Sequence, residues 1–345
     1  MQGEDMSEQA AKGKSNVGID VCEAWLDVHI LPCEEAFRLP NTTEGHKRLK
    51  RRLKDHEIGV IVIEATGKWH RQIHRSLVAS CYQVRIVNPL RARLFAQSVG
   101  VLAKTDKLDA RMLAMFAVIL IGDAKPPNPE IVEELKELAQ ARASAVTEQT
   151  SLTNQLKSAE GAFLRRQLKR RLARLAKDIE ALEDHILKRL ESDQGLWRRY
   201  QILCSIPSFG KVTAMTLLAW LPELGSCNNR QIASLTGLAP WPDDSGERHG
   251  TRHIKAGRTI VRNTLYLAAL SATRFNADMR TVYLRLKANG KGGKVPIIAI
   301  ARKLIVLANT LVGADRIWMP NAPHAGLTSN TDALPPRKCS APPPA

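Results

Sequence analysis

The residues best placed to do chemistry are Asp106 and Asp109, in the stretch AKTDKLDAR at 103–111. They stand three apart at the start of an apolar run of Leu108, Met112, Leu113, Met115 and Phe116. That spacing puts both on one face of a helix, one turn apart. Two carboxylates held so close repel each other and raise one pKa unless a cation sits between them. By itself the pair is either a metal site or a solvated face. Two further acids shift the balance. Asp20 interrupts the apolar run VGIDV (17–21), and Glu64 ends the run VIVIEA (60–65). A charge in a central apolar strand is costly unless it is paired or metal-bound. Asp20, Glu64, Asp106 and Asp109 are therefore expected to converge on metal. Lys104, Lys107 and Arg111 flank the pair and could hold a phosphate backbone; ordinary helical charge pairing accounts for them equally well.

A second group lies far along the chain. Residues 239–255 have no apolar period and many turn formers, so they read as a loop. In it Ser245 precedes Arg248, Arg252, Lys255, Arg258 and Arg262. Cations gathered around a hydroxyl suit a phosphate, because they neutralise its oxygens during attack. A loop serine alone carries no such meaning. His70 and His74, at i, i+4, lack a third ligand nearby and read as surface or phosphate-facing.

The elements that must position these groups follow from pattern. VGIDV, WLDVHIL (25–31) and EAFRLP (35–40) read as an antiparallel meander. A capping signal at Asn41–Glu44 opens a basic helix to about Lys54. VIVIEA is a fully buried strand pattern. A helix from Trp69 to about Ser80, strand QVRIV (83–87) and a helix opened by Asn88-Pro89 follow. Three strands, helix, strand, helix, strand, helix suits a mixed sheet with helices on its faces. GDAKPPNP (122–129) is a linker. From Ile131 to about Leu190 the chain is helical with a break near Gly161. Leu164, Leu168, Leu172, Leu175, Ile179, Leu182, Ile186 and Leu190 recur at steps of three and four, a coiled-coil seam. It predicts a helical hairpin, either closed on itself or also dimerising. ILCSIPSFGKVTAMTLLAWLPELG (202–225) reads helix, tight hairpin, helix. Such a hairpin, with Lys211 at its exit, can present N–H groups to a phosphate. It resembles a helix-hairpin-helix module, with Ser208 where a glycine is usual. Helices at 257–274, 277–288 and 295–312 follow, with a basic turn NGKGGK (289–294) between the last two.

The series GIDV, IEATG and the helix bearing TDKLDAR resembles the RuvC-like domain, of RNase H fold, of the DEDD transposases of insertion sequences, also described as bridge-RNA-guided recombinases. The run GLAPWPDDSG followed by HIKAGRTIVRNTLYLAA resembles that family's transposase domain. The resemblance covers about residues 16–312. It implies that Asp20, Glu64, Asp106 and Asp109 bind divalent metal, Mg²⁺ or Mn²⁺, and that Ser245 is the nucleophile. Oxygen-only ligands do favour these hard ions. Two of them about 4 Å apart can clamp the attacking and leaving oxygens of a phosphodiester. The resemblance further implies double-stranded DNA as substrate, a structured guide RNA, and assembly as a dimer or tetramer.

The expected architecture is α/β plus mainly α. It comprises a disordered start (1–14), the RuvC-like domain (15–124), a coiled-coil arm (125–195), a helical transposase domain (196–315) and a disordered Pro-rich tail (316–345). Lys plus Arg is 51 against 34 Asp plus Glu, a net charge of +17. That favours a polyanionic partner. No uninterrupted apolar run is long enough for a membrane span, and the basic residues are spread along the chain. The polar start has no apolar leader, which predicts the cytoplasm; the resemblance implies a bacterial, nucleoid-associated protein. Six cysteines without C-x-x-C argue against disulfides and zinc. Two other functions fit the same features: a metal-dependent nuclease or strand-transferase without covalent intermediate, and a non-enzymatic binder of branched DNA.

Overall fold

The computed structural model describes residues 14–100, 106–119, 124, 126–243, 250 and 252–320. They fall into two compact units, Met1–Pro127 and Asn128–Ala345. The expectations for residues 1–13 and for 321–345 lie outside the described residues.

The first unit is built on a five-stranded sheet of order β3-β2-β1-β4-β5. β1 (Ser15–Val21), β2 (Trp25–Leu31) and β3 (Glu35–Pro40) form the antiparallel meander. β4 (Ile58–Glu64) and β5 (Val84–Val87) continue it in parallel. Parallel neighbours need crossovers, and helices supply them. Thr42 caps α1 (Thr43–Leu53), its hydroxyl accepting from the Gly45 amide at 3.2 Å. α2 (His70–Val78) links β4 to β5. Asn88 caps α3 (Pro89–Ser98), its side chain accepting from the Leu90 amide at 2.8 Å. α4 (Asp106–Ile119) completes the unit.

Alternation along each strand divides the sheet into two faces. Val17, Ile19, Leu26, Val28, Ile61 and Ile63 point to one face and pack with Leu49 and Leu53 of α1 and Ile73 and Leu77 of α2. Val62 and Val87 belong to the other, packed with Leu113, Phe116 and Ala117 of α4. β4 is thus apolar on both sides, which is why it reads as an unbroken run. Gly18 lies under α4. A Cβ there would overlap the Ala110 carbonyl oxygen and the Ala114 amide nitrogen, and would stand 2.9 Å from Leu113 Cβ. Only a glycine in β1 lets α4 come down this far.

In the second unit α5 (Glu130–Ser158) and α6 (Ala162–Glu191) form an antiparallel hairpin. Ion pairs along it are Glu134–Arg189 at 2.6 Å, Arg142–Glu183 at 2.7 Å and Glu148–Arg171 at 3.4 Å. Its outer seam is Leu152, Leu168, Leu156, Leu172 and Leu175. At its base Leu135, Ala139, Ile186 and Leu190 enter the core shared with α7 (Gln194–Ser205), α8 (Lys211–Trp220), α9 (Asn229–Leu235), α10 (Thr259–Phe275), α11 (Ala277–Ala288) and α12 (Val295–Gly313). That core is continuous across residue 195. α12 is long and apolar enough to span a bilayer, with mean hydropathy 1.8, but 61% of that stretch is buried in the unit. The loop expected over 239–255 is pinned at both ends: β6 (Pro240–Trp241) pairs with β7 (His253–Ile254). Two-residue strands are too short to show a period.

Candidate active site

Three of the predicted acids line one cavity of about 530 Å³ in the first unit: Asp20, Glu64 and Asp109. Each arrives on a different element. Asp20 and Glu64 share the α4 face: Asp20 alternates with Val17, Ile19 and Val21, which face the other way, and Glu64 lies two residues beyond Val62 on the same side of β4. Asp109 stands in the first turn of α4, where the helix N-terminus favours negative charge. Asp106 is the first residue of that helix; its side chain and that of Lys107 lie outside the described residues, as does all of Lys104. Among the described residues, the three carboxylates line this space without their oxygens all lying within 4.8 Å of one another. Thr66, Cys22, Arg93 and Gln97 add polar atoms to the wall, and Met112, Leu113 and Phe116 close its floor. Phe95 stacks on Phe116 at 4.6 Å and ties α3 to α4.

Asp20, Glu64 and Asp109 offer oxygen ligands only, a donor set of the kind hard divalent ions take. Asp27 stands directly opposite Asp20 in the β1–β2 register. Asp27 is buried and already neutralised by a forked pair to Arg38, both bonds 2.8 Å.

Arg111 does something other than flank the acids. It forks onto Glu34 in the β2–β3 turn, at 2.7 and 3.1 Å. Residues two apart on a helix face different sides, so Arg111 turns away from Asp109. Glu34 also takes His29 at 2.9 Å. The hydrogen bond from Arg111, and then that from His29, bring the Glu34 carboxyl down to about 2. His74 is buried, not at the surface, because α2 turns that side inward with Ile73 and Leu77.

In the second unit Ser245 and Arg248 lie outside the described residues. The remaining cations divide by role. Arg252 and Lys255 are exposed. Arg258 forks onto Glu223 at 2.7 and 2.8 Å, and Arg262 donates to the Ala256 carbonyl at 2.6 Å. Lys211 pairs at 2.6 Å with Glu183, a buried carboxylate that Arg142 also holds. Ser208 has φ +83°, the left-handed conformation that explains why glycine is usual there.

Sequence reasoning missed Thr66, Arg93 and Gln97 of the cavity wall, and the buried Asp27 opposite Asp20. Arg93 sits on α3, whose residues show no apolar stripe, and nothing local marks it. Asp27 could have been found: it alternates with His29 on the face of its strand that Asp20 shares.

Comparison with known proteins gives two family matches, the first of which runs past the sheet unit to the end of α5. Residues 17–159 match a transposase family, DEDD_Tnp_IS110, and residues 200–284 match the Transposase IS116/IS110/IS902 family. The chain is 26% identical over 317 residues to the pilin gene-inverting protein of Moraxella bovis, covering 88% of this chain and 97% of that one. The counterpart from Moraxella lacunata is similar to the same extent, 26% over 317 residues. The uncharacterized 42 kDa protein of insertion element IS900 from Mycobacterium paratuberculosis is 32% identical over 159 residues, 43% of this chain and 39% of that one. With an RNase H-like sheet unit whose acids line one cavity, a largely helical unit after it, and both family matches, the chain belongs to the IS110 family of DEDD transposases, enzymes that act on DNA.

Proposed function

We propose that this transposase cuts and rejoins double-stranded DNA by magnesium-dependent transesterification through Ser245. The observation that carries the reading is the cavity walled by Asp20, Glu64 and Asp109 from three separate elements. Asp20, Glu64, Asp106 and Asp109 hold the ions, Mg²⁺ or Mn²⁺. Once bound, the metal supplies positive charge at the scissile phosphate and at the leaving oxygen. The Ser245 hydroxyl oxygen attacks phosphorus as its proton passes to solvent. The bond from phosphorus to the leaving deoxyribose oxygen breaks, and a phosphoserine ester remains. That ester keeps the bond energy, so an incoming DNA hydroxyl can reverse the step on a new partner. Exchange between two inverted sites in one molecule inverts the segment between them, which agrees with the name of the Moraxella relatives. Following the family resemblance, a structured noncoding RNA selects the sites and the working form is a homo-oligomer, a dimer or tetramer.

The test is a covalent adduct. Protein, guide RNA, DNA and Mg²⁺ are combined and denatured in SDS. A protein–DNA adduct is expected, and it disappears with Ser245→Ala. An adduct that survives this change moves the nucleophile elsewhere, and activity without any adduct favours attack by water or a 3′-hydroxyl.

The cations around the loop give a second expected result. Arg252→Ala and Lys255→Ala each weaken DNA binding and lower its salt slope by about one, without change in Tm. Arg258→Ala does the reverse. It removes the forked pair to Glu223 and costs about 1.5–3 kcal/mol of stability, the worth of charge-assisted hydrogen bonds. Thermal melts and salt titrations of DNA binding separate the two outcomes.

A further inference from the structure

Away from the carboxylate cavity, three metal-ligating side chains meet at the edge of the sheet. Cys33 lies in the turn before β3, Glu35 opens β3, and His56 follows α1. Their ligand atoms all lie within 4.8 Å of one another. Glu35 Oε2 and His56 Nε2 are 3.2 Å apart. Ligand atoms of a tetrahedral zinc site stand roughly 3.3–3.6 Å apart, on bonds of about 2.0–2.3 Å. The pair is therefore already near the separation that one shared ion imposes.

We propose that Cys33, Glu35 and His56 bind a zinc ion, with water in the fourth position. A thiolate, an imidazole and a carboxylate form a borderline donor set that suits Zn²⁺ and is a poor match for Mg²⁺. Binding releases the thiol proton, and the neutral imidazole ligates through Nε2 with its proton held on Nδ1. Glu35 can serve with Oε2 alone, since Arg52 lies 3.5 Å from its other oxygen and balances that charge. Cys33 is exposed, so an ion can reach it without unfolding. No C-x-x-C or H-x-x-x-H spacing marks this site, because its ligands come from two turns that only the fold brings together.

The site has a consequence for the first unit. Cys33 and Glu35 flank Glu34, the residue that forks onto Arg111 of α4. An ion here clips the β2–β3 turn to the end of α1 and stiffens the brace on the helix that carries Asp109.

The test uses cobalt as a spectroscopic stand-in for zinc, on the full chain, reduced with a phosphine and stripped of metal. One equivalent of Co²⁺ is expected to give a sulfur-to-cobalt charge-transfer band, which Zn²⁺ then bleaches and Mg²⁺ does not. The carboxylate cavity also takes divalent ions and has Cys22 in its wall, so the variants decide. The band is lost in Cys33→Ser and in His56→Ala, is weakened in Glu35→Gln, and persists in Cys22→Ser. Cys33→Ser also lowers Zn²⁺ affinity by more than about 100-fold, the upper end of what an outer-shell change costs. It reduces the rise in Tm that zinc gives the parent chain, leaving only what the carboxylate cavity contributes. No band in the parent chain, or a band that survives Cys33→Ser, overturns the proposal.

Discussion

Asp109→Asn is expected to lower DNA cleavage and joining about a thousandfold while leaving the fold intact. The amide fills the same volume but brings no charge to the metal. Metal ions stabilise charge in the transition state by several kcal/mol. Losing about 4 kcal/mol of that is roughly a thousandfold in rate. Asp109 lines the cavity with Asp20 and Glu64, so the remaining acids cannot restore the full ligand set. The loss therefore persists at high Mg²⁺. A second readout comes from stability. An ion that binds only the folded chain raises Tm with its concentration. That rise is present in the parent chain and absent in Asp109→Asn. Strand cleavage measured across a magnesium series, with melts in the same buffers, checks both. A variant as active as its parent would remove Asp109 from the metal site and leave the cavity without a function.

Gly18→Ala is expected to cost about 3 kcal/mol or more and to inactivate the enzyme with it. Overpacking a close-packed interior costs roughly 1–3 kcal/mol where side chains can yield. Here the added methyl meets the backbone of Ala110 and Ala114. Neither atom can rotate away, so α4 must lift off β1 as a whole. The same movement carries Asp109 away from Asp20, which is why stability and activity fail together. Gly292→Ala is the matched control. A Cβ at Gly292 would meet nothing within 4 Å, and its effect stays within about 0.5 kcal/mol. Denaturant unfolding of both variants, with activity measured on the folded fraction, distinguishes them. A Gly18→Ala chain with unchanged midpoint would mean that α4 does not rest on β1 at this residue.

Local order is what could be read without coordinates. Strand alternation, helical period and caps act over a few residues, and so β1 to β5 and every helix but α9 were visible as pattern; the seven residues of α9 are too few to show a period. The acids were visible for a related reason: Asp20 and Glu64 break otherwise apolar strands, and an unexplained charge in a buried strand demands a partner. The hairpin of α5 and α6 was visible in its leucines, and the left-handed residue at Ser208 was marked by the motif it departs from.

Long-range partnership was not legible. Arg111 looked like a companion of Asp106 and Asp109 but is engaged by Glu34, 77 residues earlier. Arg258 looked like part of a cation cluster but is committed to Glu223. His74 looked exposed and is buried. In each case composition gives the charge or the ring and says nothing about what stands opposite. The meeting of Cys33, Glu35 and His56 is the extreme instance, since separate turns supply its members. Periodicity is a property of neighbours along the chain and is written in the amino-acid order. Which side chain neutralises, braces or shares an ion with which depends on how sheets and helices stack, and only the folded molecule decides that.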